Sequence, residues 1–152
     1  MTARIRWMIR ADLPRVLEIE REGFRDPWTE QDFMGVLAER STIAMVIEVD
    51  DIVEGFMVYA LRRDVLYILN VSVSPDKRLQ GLGSLMVAKL QSKLGTRRST
   101  LMADVSEANL SAQLFFRSLG LSCVAILPEF FEAEGLDAYR FSYVVVPEEA
   151  VA

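Results

Sequence analysis

Along the chain the apolar positions change their period several times, and each change marks an element. Arg4 to Ile9 alternates weakly between polar and apolar residues and predicts a first strand. Asp12 stands where a helix N-cap belongs, and Leu13, Val16 and Leu17 then recur at helical spacing toward Gly23, with Pro14 tolerated in the first turn. Asp26-Pro27 breaks that helix, because the residue before proline resists the helical region. Thr29 and Asp32 have the spacing of a capping pair and open a second helix to about Glu39, with Phe33, Val36 and Leu37 on one face. Thr42 to Val49, Val53 to Leu61 and Leu66 to Val73 are rich in Ile, Val, Met and Tyr and are separated by Asp50-Asp51 and by Arg62 to Asp64, which predicts an antiparallel meander. Beyond Pro75 the spacing becomes helical through Leu82, Leu85, Met86, Leu90 and Leu94 up to Gly95. Thr100 to Val105 predicts a strand, Asn109 to Leu119 a helix closed by Gly120, and Leu121 to Leu127 with Tyr139 to Val146 the last two strands.

The order β-α-α-β-β-β-α-β-α-β-β is that of a mixed α/β fold with a central, mostly antiparallel sheet and helices on both faces. A chain of 152 residues fits one domain, here 1–152, and its 51% hydrophobic content supplies a core without staples. The last residues, Pro147 to Ala152, are expected to fray. There is no histidine and a single cysteine, Cys123, so histidine-dependent triads, His/Cys zinc sites and intrachain disulfides are excluded and no metal is expected. Cys123, in an apolar strand, is expected to fill the core. Any proton transfer must run through Asp, Glu, Tyr, Lys, Cys, water or the substrate.

The net charge of −5 argues against nucleic acid as the main partner. Arginine interrupts the first apolar run, MTARIRWMIR, and no stretch is long enough to span a bilayer, so neither a membrane partner nor a leader is expected and the cytoplasm is the expected compartment. The charge is uneven, however. From Asp76 to Arg98 six basic residues (Lys77, Arg78, Lys89, Lys93, Arg97, Arg98) face one acid, a local +5 in an acidic chain.

Lys77 and Arg78 precede Leu79-Gln80-Gly81-Leu82-Gly83-Ser84, a basic turn and a glycine pair opening a helix after the strand Val71-Ser72-Val73. The first turn of a helix has unpaired N–H groups and a positive dipole end, and glycine lets a phosphate approach them closely. A Walker loop is absent. A dinucleotide fingerprint would need a third glycine where Met86 stands, although Asp104 lies at the spacing of a ribose-binding acid. A meander ahead of the glycines disfavours that fold.

Arg78-x-x-Gly81-x-Gly83 after Val71-Ser72-Val73 resembles the acetyl-CoA motif [RQ]-x-x-G-x-[GA] of the GNAT N-acetyltransferases, and Asn109 with Phe115-Phe116-Arg117-Ser118-Leu119-Gly120 resembles that family's next motif. With Asp26-Pro27-Trp28-Thr29 and Leu69-Asn70, the chain resembles the ribosomal-protein alanine N-acetyltransferases over nearly its whole length. The resemblance implies a GNAT fold, acetyl-CoA as cosubstrate, and direct transfer of its acetyl group to a protein or peptide with a free N-terminal amine, by a monomer or homodimer. It also implies that the main chain of Val71, Ser72 and Val73 binds pantetheine and polarises the thioester carbonyl, that Arg78 to Ser84 take the diphosphate, and that Asn109 reaches the pantetheine arm. Asp104 matches the family's catalytic glutamate, one methylene shorter. Phe116 occupies the place of the tyrosine that protonates the leaving thiolate, so Tyr139 or Tyr143, or water, has to replace it. A CoA-binding module with little turnover and a small-amine acetyltransferase are the alternative readings. Trp28 and Tyr139 are the candidate substrate contacts, and Glu129 to Glu134, with Phe130 and Phe131, is an acidic stretch suited to a cationic N-terminus.

Overall fold

The computed structural model describes residues 2–24 and 26–146, and the expected fraying of 147–152 lies outside them. The described residues form two compact units, one within 1–61 and 69–89, the other within 62–68 and 90–152.

The first unit holds β1 (Ala3–Trp7), α1 (Leu13–Gly23), α2 (Glu30–Leu37), β2 (Thr42–Val49), β3 (Ile52–Arg62), the second half of β4 (Asp64–Val73) and most of α3 (Leu82–Ser92). β1 pairs antiparallel with β2 from Ala3↔Val49 to Trp7↔Met45, and β2 pairs antiparallel with β3 from Thr42↔Ala60 to Val49↔Ile52. Leu13, Val16 and Leu17 give α1 a single apolar stripe, which packs with Phe33 of α2 on Val46, Phe56 and Val58 of the sheet. The next residue along β3, Gly55, points to the other face, where a Cβ would lie 2.9 Å from Ile47 Cγ2, 3.0 Å from the Ser72 carbonyl oxygen and 3.2 Å from Met86 Cε of α3. Glycine is thus what lets α3 and β4 sit this close to β3. On α3, Leu82, Met86 and Val87 are buried, whereas Leu85, expected on the same face, is exposed.

Asp12 precedes α1 as expected, but it does not cap the helix with its side chain. Its carboxylate turns back to accept from the Ile9 N–H at 2.8 Å and takes a fork from Arg6 at 2.8 and 2.9 Å. Thr29 does cap: its hydroxyl accepts from Asp32 N–H (3.1 Å), and the Asp32 carboxylate accepts from Thr29 N–H (2.9 Å). Trp28, just outside the cap, meets Phe33 edge-on at 5.0 Å and staples the entry to α2.

The second unit holds the first half of β4, β5 (Arg98–Ser106), α4 (Leu110–Ser118), β6 (Ser122–Phe131) and β7 (Leu136–Val144). β4 and β5 run parallel, and their ladder extends from Asp64↔Arg98 to Ile68↔Ala103. β7 pairs antiparallel with β5 on one side and with β6 on the other. Leu101, Ala103 and Val105 alternate inward on β5, Phe141 pairs with Ala103 across the ladder, and Phe116 and Leu121 are buried in the same unit. Strand order in the sheet is β1-β2-β3-β4-β5-β7-β6, a mixed α/β architecture as the element order implied. β6 is an edge strand, and Cys123 on it is exposed rather than part of the core.

Candidate active site

In the first unit the main chain leaves β4 at Val73 and is pinned by the Ser74 N–H on the Glu54 carbonyl at 2.7 Å. A short 3₁₀ turn over Pro75–Lys77 follows, closed by the Lys77 N–H on the Ser74 carbonyl at 3.0 Å. Leu79 then takes a left-handed conformation (φ 64°) although it carries a side chain, and that side chain is fully exposed. Gly81 is also left-handed (φ 80°), with nothing within 4 Å of where a Cβ would be. The first recorded intrahelical bond of α3 runs from the Leu85 N–H to the Gly81 carbonyl at 3.0 Å, so the amides of Leu82, Gly83 and Ser84 form the donor end of the helix. An exposed residue held in a costly conformation beside a glycine is an arrangement that shapes main-chain donors toward a ligand. The Arg78 side chain does less than the motif implied, because its Nε is committed to the Val73 carbonyl at 3.1 Å and ties the turn to the end of β4. Gln80 likewise reaches back, to the Asp76 carbonyl at 3.4 Å. Val71 and Val73 are half-buried, while Ser72 between them and Leu82 after the turn point their side chains inward. What these positions offer a ligand is therefore main chain.

Behind the turn, the carboxylate of Glu20 is buried with 2% exposure. It accepts from the Trp28 N–H at 2.8 Å and from the Asn70 side-chain amide at 3.0 Å, which joins α1, the segment before α2 and β4. Burial raises its pKa, and the two hydrogen bonds pull the other way. A groove of about 600 Å3 in this unit, lined among others by Trp7, Ile9, Met34 and Ile43, shares no residue with the turn.

The second unit carries an acid–base cluster around Asp104, whose side chain is 3% exposed. Arg140, directly opposite on β7, forks onto it, with Nε on Oδ1 at 2.9 Å and the terminal nitrogen on Oδ2 at 3.0 Å. The Tyr67 hydroxyl, from β4, donates to Oδ2 as well. The Arg62 guanidinium lies 4.8 Å from the centre of the Tyr67 ring, a cation–π contact. Hydrogen bonding to Asp104 raises the pKa of Arg140, so the guanidinium is a permanent cation here.

Asp104 is thus in a chemical centre, but the tyrosines that were to accompany it are not. Tyr139 pairs with Val105 and Tyr143 with Leu101, and strand alternation sends both to the face opposite Asp104 and Arg140. Phe116 is 4% exposed, with Phe115 and Phe141 rings at 5.1 and 6.4 Å, so it fills the core and presents almost no surface to a cofactor. Asn109 caps α4, accepting from the Ala112 N–H at 3.1 Å. The acidic stretch forms the end of β6 and the hairpin tip, where Glu129, Glu132 and Glu134 are exposed and Phe130 meets Phe131 edge-on at 5.0 Å. Tyr67 and Arg140 were not foreseen. The half-buried alternation of β4 hinted at Tyr67, but only the strand register brings either residue to Asp104.

Acyl transfer from a thioester needs aimed main-chain donors and a route for one proton, not imidazole, and the two units carry parts of that kind; the class they define is an acyltransferase. Residues 7–121 match the model of the Acetyltransferase (GNAT) family, and the chain belongs to that family, that of acetyl-CoA-dependent N-acetyltransferases. It is 30% identical over 121 residues to the [ribosomal protein bS18]-alanine N-acetyltransferase of Salmonella typhimurium strain LT2, covering 79% of this chain and 81% of that one. Among solved structures, the ribosomal-protein-S18-alanine N-acetyltransferase of Escherichia coli superposes with a TM-score of 0.83 over 97% of both chains at 24% identity. NAA60 of Arabidopsis thaliana, solved with acetyl-CoA, superposes with a TM-score of 0.80 over 95% of this chain and 100% of that one at 19% identity. At those identities the two structures establish the fold.

Proposed function

We propose that this chain moves the acetyl group of acetyl-CoA directly to the α-amine of a protein N-terminus, an N-terminal alanine of a ribosomal protein, in the cytoplasm. The observation that carries the reading is the turn from Arg78 to Ser84, where Leu79 and Gly81 in left-handed conformations precede the free amides of α3. Those amides take the diphosphate, and the main chain of Val71 to Val73 lies along the pantetheine. On β5 the ladder with β4 ends at Ala103, which leaves the main chain of the following residues, Asp104 to Ser106, outside that ladder and able to meet a ligand. The named activity of the Salmonella relative supports the acceptor, and the family supports the cosubstrate. Among the described residues no helix is long and apolar enough to cross a membrane.

The chemistry needs no covalent enzyme intermediate. The neutral amine nitrogen attacks the thioester carbonyl carbon, main-chain donors hold the oxygen as it gains charge, the C–S bond breaks, and the proton lost by nitrogen ends on sulfur. The Asp104 cluster is the centre through which that proton travels, and the exposed carboxylates of the 129–134 hairpin attract a cationic N-terminus. Incubation with acetyl-CoA and a panel of peptides, followed by thiol release and peptide mass, tests the reading. One acetyl group on the α-amine of an alanine peptide is expected, and none on the same peptide with its α-amine blocked. Tight CoA binding without product on any acceptor favours a binding module, and acetylation confined to polyamines favours a small-amine enzyme.

A further inference from the structure

Charge in the second unit is sorted to the two ends of β5. At its start, Arg98 donates from Nε to the Arg62 carbonyl at 2.9 Å, and its own carbonyl accepts from the Gly95 N–H at 2.8 Å. The turn before β4 and the loop after α3 are both drawn to this strand end, where Asp64↔Arg98 opens the β4–β5 ladder. Arg62, Arg63, Lys93, Arg97 and Arg98 therefore share one end of the sheet, with Asp64 as the acid among them, and all but the half-buried Arg98 are exposed. Among the described residues none of these five cations is in an ion pair.

At the other end of β5 the sign reverses. Glu107 follows Ser106 and accepts from the Asp137 N–H at 3.1 Å, and the hairpin there carries the exposed Glu129, Glu132 and Glu134. The 9 residues of β5 separate the two ends by about 25 Å at strand rise. Screening at physiological salt acts over about 8 Å, so the acids do not cancel the field of the basic end. The net charge of −5 does not describe what a phosphate meets there.

Four of the five cations are arginine, whose planar fork matches the oxygens of a phosphodiester. The aromatic ring recorded at this end, that of Tyr67, has the Arg62 guanidinium over it at 4.8 Å, so that face is closed to a stacking base and the contacts on offer are to a backbone. Resting on the reading of the acceptor as a ribosomal protein, which is carried in an RNA particle, we infer that this basic end is a docking surface for the sugar–phosphate backbone of RNA. It reads no sequence, and it brings the enzyme to acceptors that are held on RNA.

Fluorescence anisotropy of a fluorescein-labelled RNA duplex, titrated with the full chain at a series of potassium chloride concentrations, tests the inference. About four phosphate contacts predict a slope of about −3 to −4 in log affinity against log salt. Arg63→Gln with Arg97→Gln, at two exposed positions outside the Asp104 cluster, should flatten that slope by about 2 and weaken binding about 10–100-fold at low salt. The melt of this variant and its acetylation of a free peptide should not change. Glu148 and Glu149, which follow β7 outside the described residues, are the same in both proteins, so the difference reads the basic end alone. Three results would overturn the inference: no anisotropy change with the unmodified chain at low salt, binding that the double substitution leaves intact, or displacement of the duplex by coenzyme A, which would place it on the turn before α3. Sedimentation with phosphatidylglycerol vesicles in place of RNA binding would overturn it too, in favour of a membrane surface. RNA binding as expected, with no acetyl product on any peptide, would support the docking surface and refute the acetyl-transfer reading instead.

Discussion

Replacing Gly81 with alanine isolates the conformational cost of the ligand turn. Gly81 sits at φ 80°, and a Cβ there meets nothing within 4 Å, so no collision contributes. What remains is the cost of holding an L-residue in the left-handed region, about 1–2 kcal/mol. The residue is exposed, and its neighbour Leu79, at φ 64°, already bears the same cost. Without ligand the turn of the variant relaxes and the fold loses little. With ligand it must return to the arrangement that aims the amides of α3. The penalty therefore appears in affinity rather than in melting temperature: coenzyme A should bind about 5–30-fold more weakly, the factor that 1–2 kcal/mol represents. Calorimetric titration of coenzyme A, beside thermal melts, measures both quantities. Gly81→Asn should lose less, because asparagine visits this region more readily. Parental affinity in Gly81→Ala, with an unchanged melt, would refute the reasoning.

Other perturbations test other parts. Gly55→Ala should destabilise the protein by about 1–3 kcal/mol, because overpacking costs that much and the Ser72 carbonyl, 3.0 Å from the new methyl, is main chain that cannot step aside; an unchanged midpoint in urea would contradict the packing. Hydrogen bonding to Arg6 lowers the pKa of Asp12, so that pair contributes stability at neutral pH which is lost as pH falls below the ordinary carboxylate range and through the lowered value. Asp12→Asn should be less stable at neutral pH and show a flatter acid limb, and a parental acid limb would dismiss the pair. Glu20 has the opposite sign: burial raises its pKa, so its contribution is fullest when it is protonated and declines as pH rises through the raised value. Glu20→Gln should remove that decline, as read from unfolding free energy against pH.

Local signals were legible where local chemistry decides. β2 spans Thr42–Val49 as its alternation predicted, Thr29 and Asp32 form the reciprocal cap, Trp28 staples Phe33, and Gly120 follows α4 at φ 90°. The same reasoning misplaced Cys123, because nothing in an apolar run says that its strand lies at the edge of the sheet, and it misplaced the Asp12 side chain, because a nearby arginine outcompeted the helix end for the carboxylate. The site divides in the same way. The turn from Arg78 to Ser84 is written in consecutive residues. The partners of Asp104 are set by pairing between strands, with Tyr67 and Arg140 lying 37 and 36 residues from it, and a one-residue slip of β7 would have brought Tyr139 or Phe141 to Asp104 instead.

Backbone amide resonances of isotope-labelled protein, followed as coenzyme A is added, test the anchoring of the cosubstrate most directly. The amides of Leu79 to Ser84 are expected to shift most and to saturate together with the calorimetric binding curve. Saturable binding that leaves those amides where they were, and moves others, would contradict the placement of the diphosphate on the turn before α3.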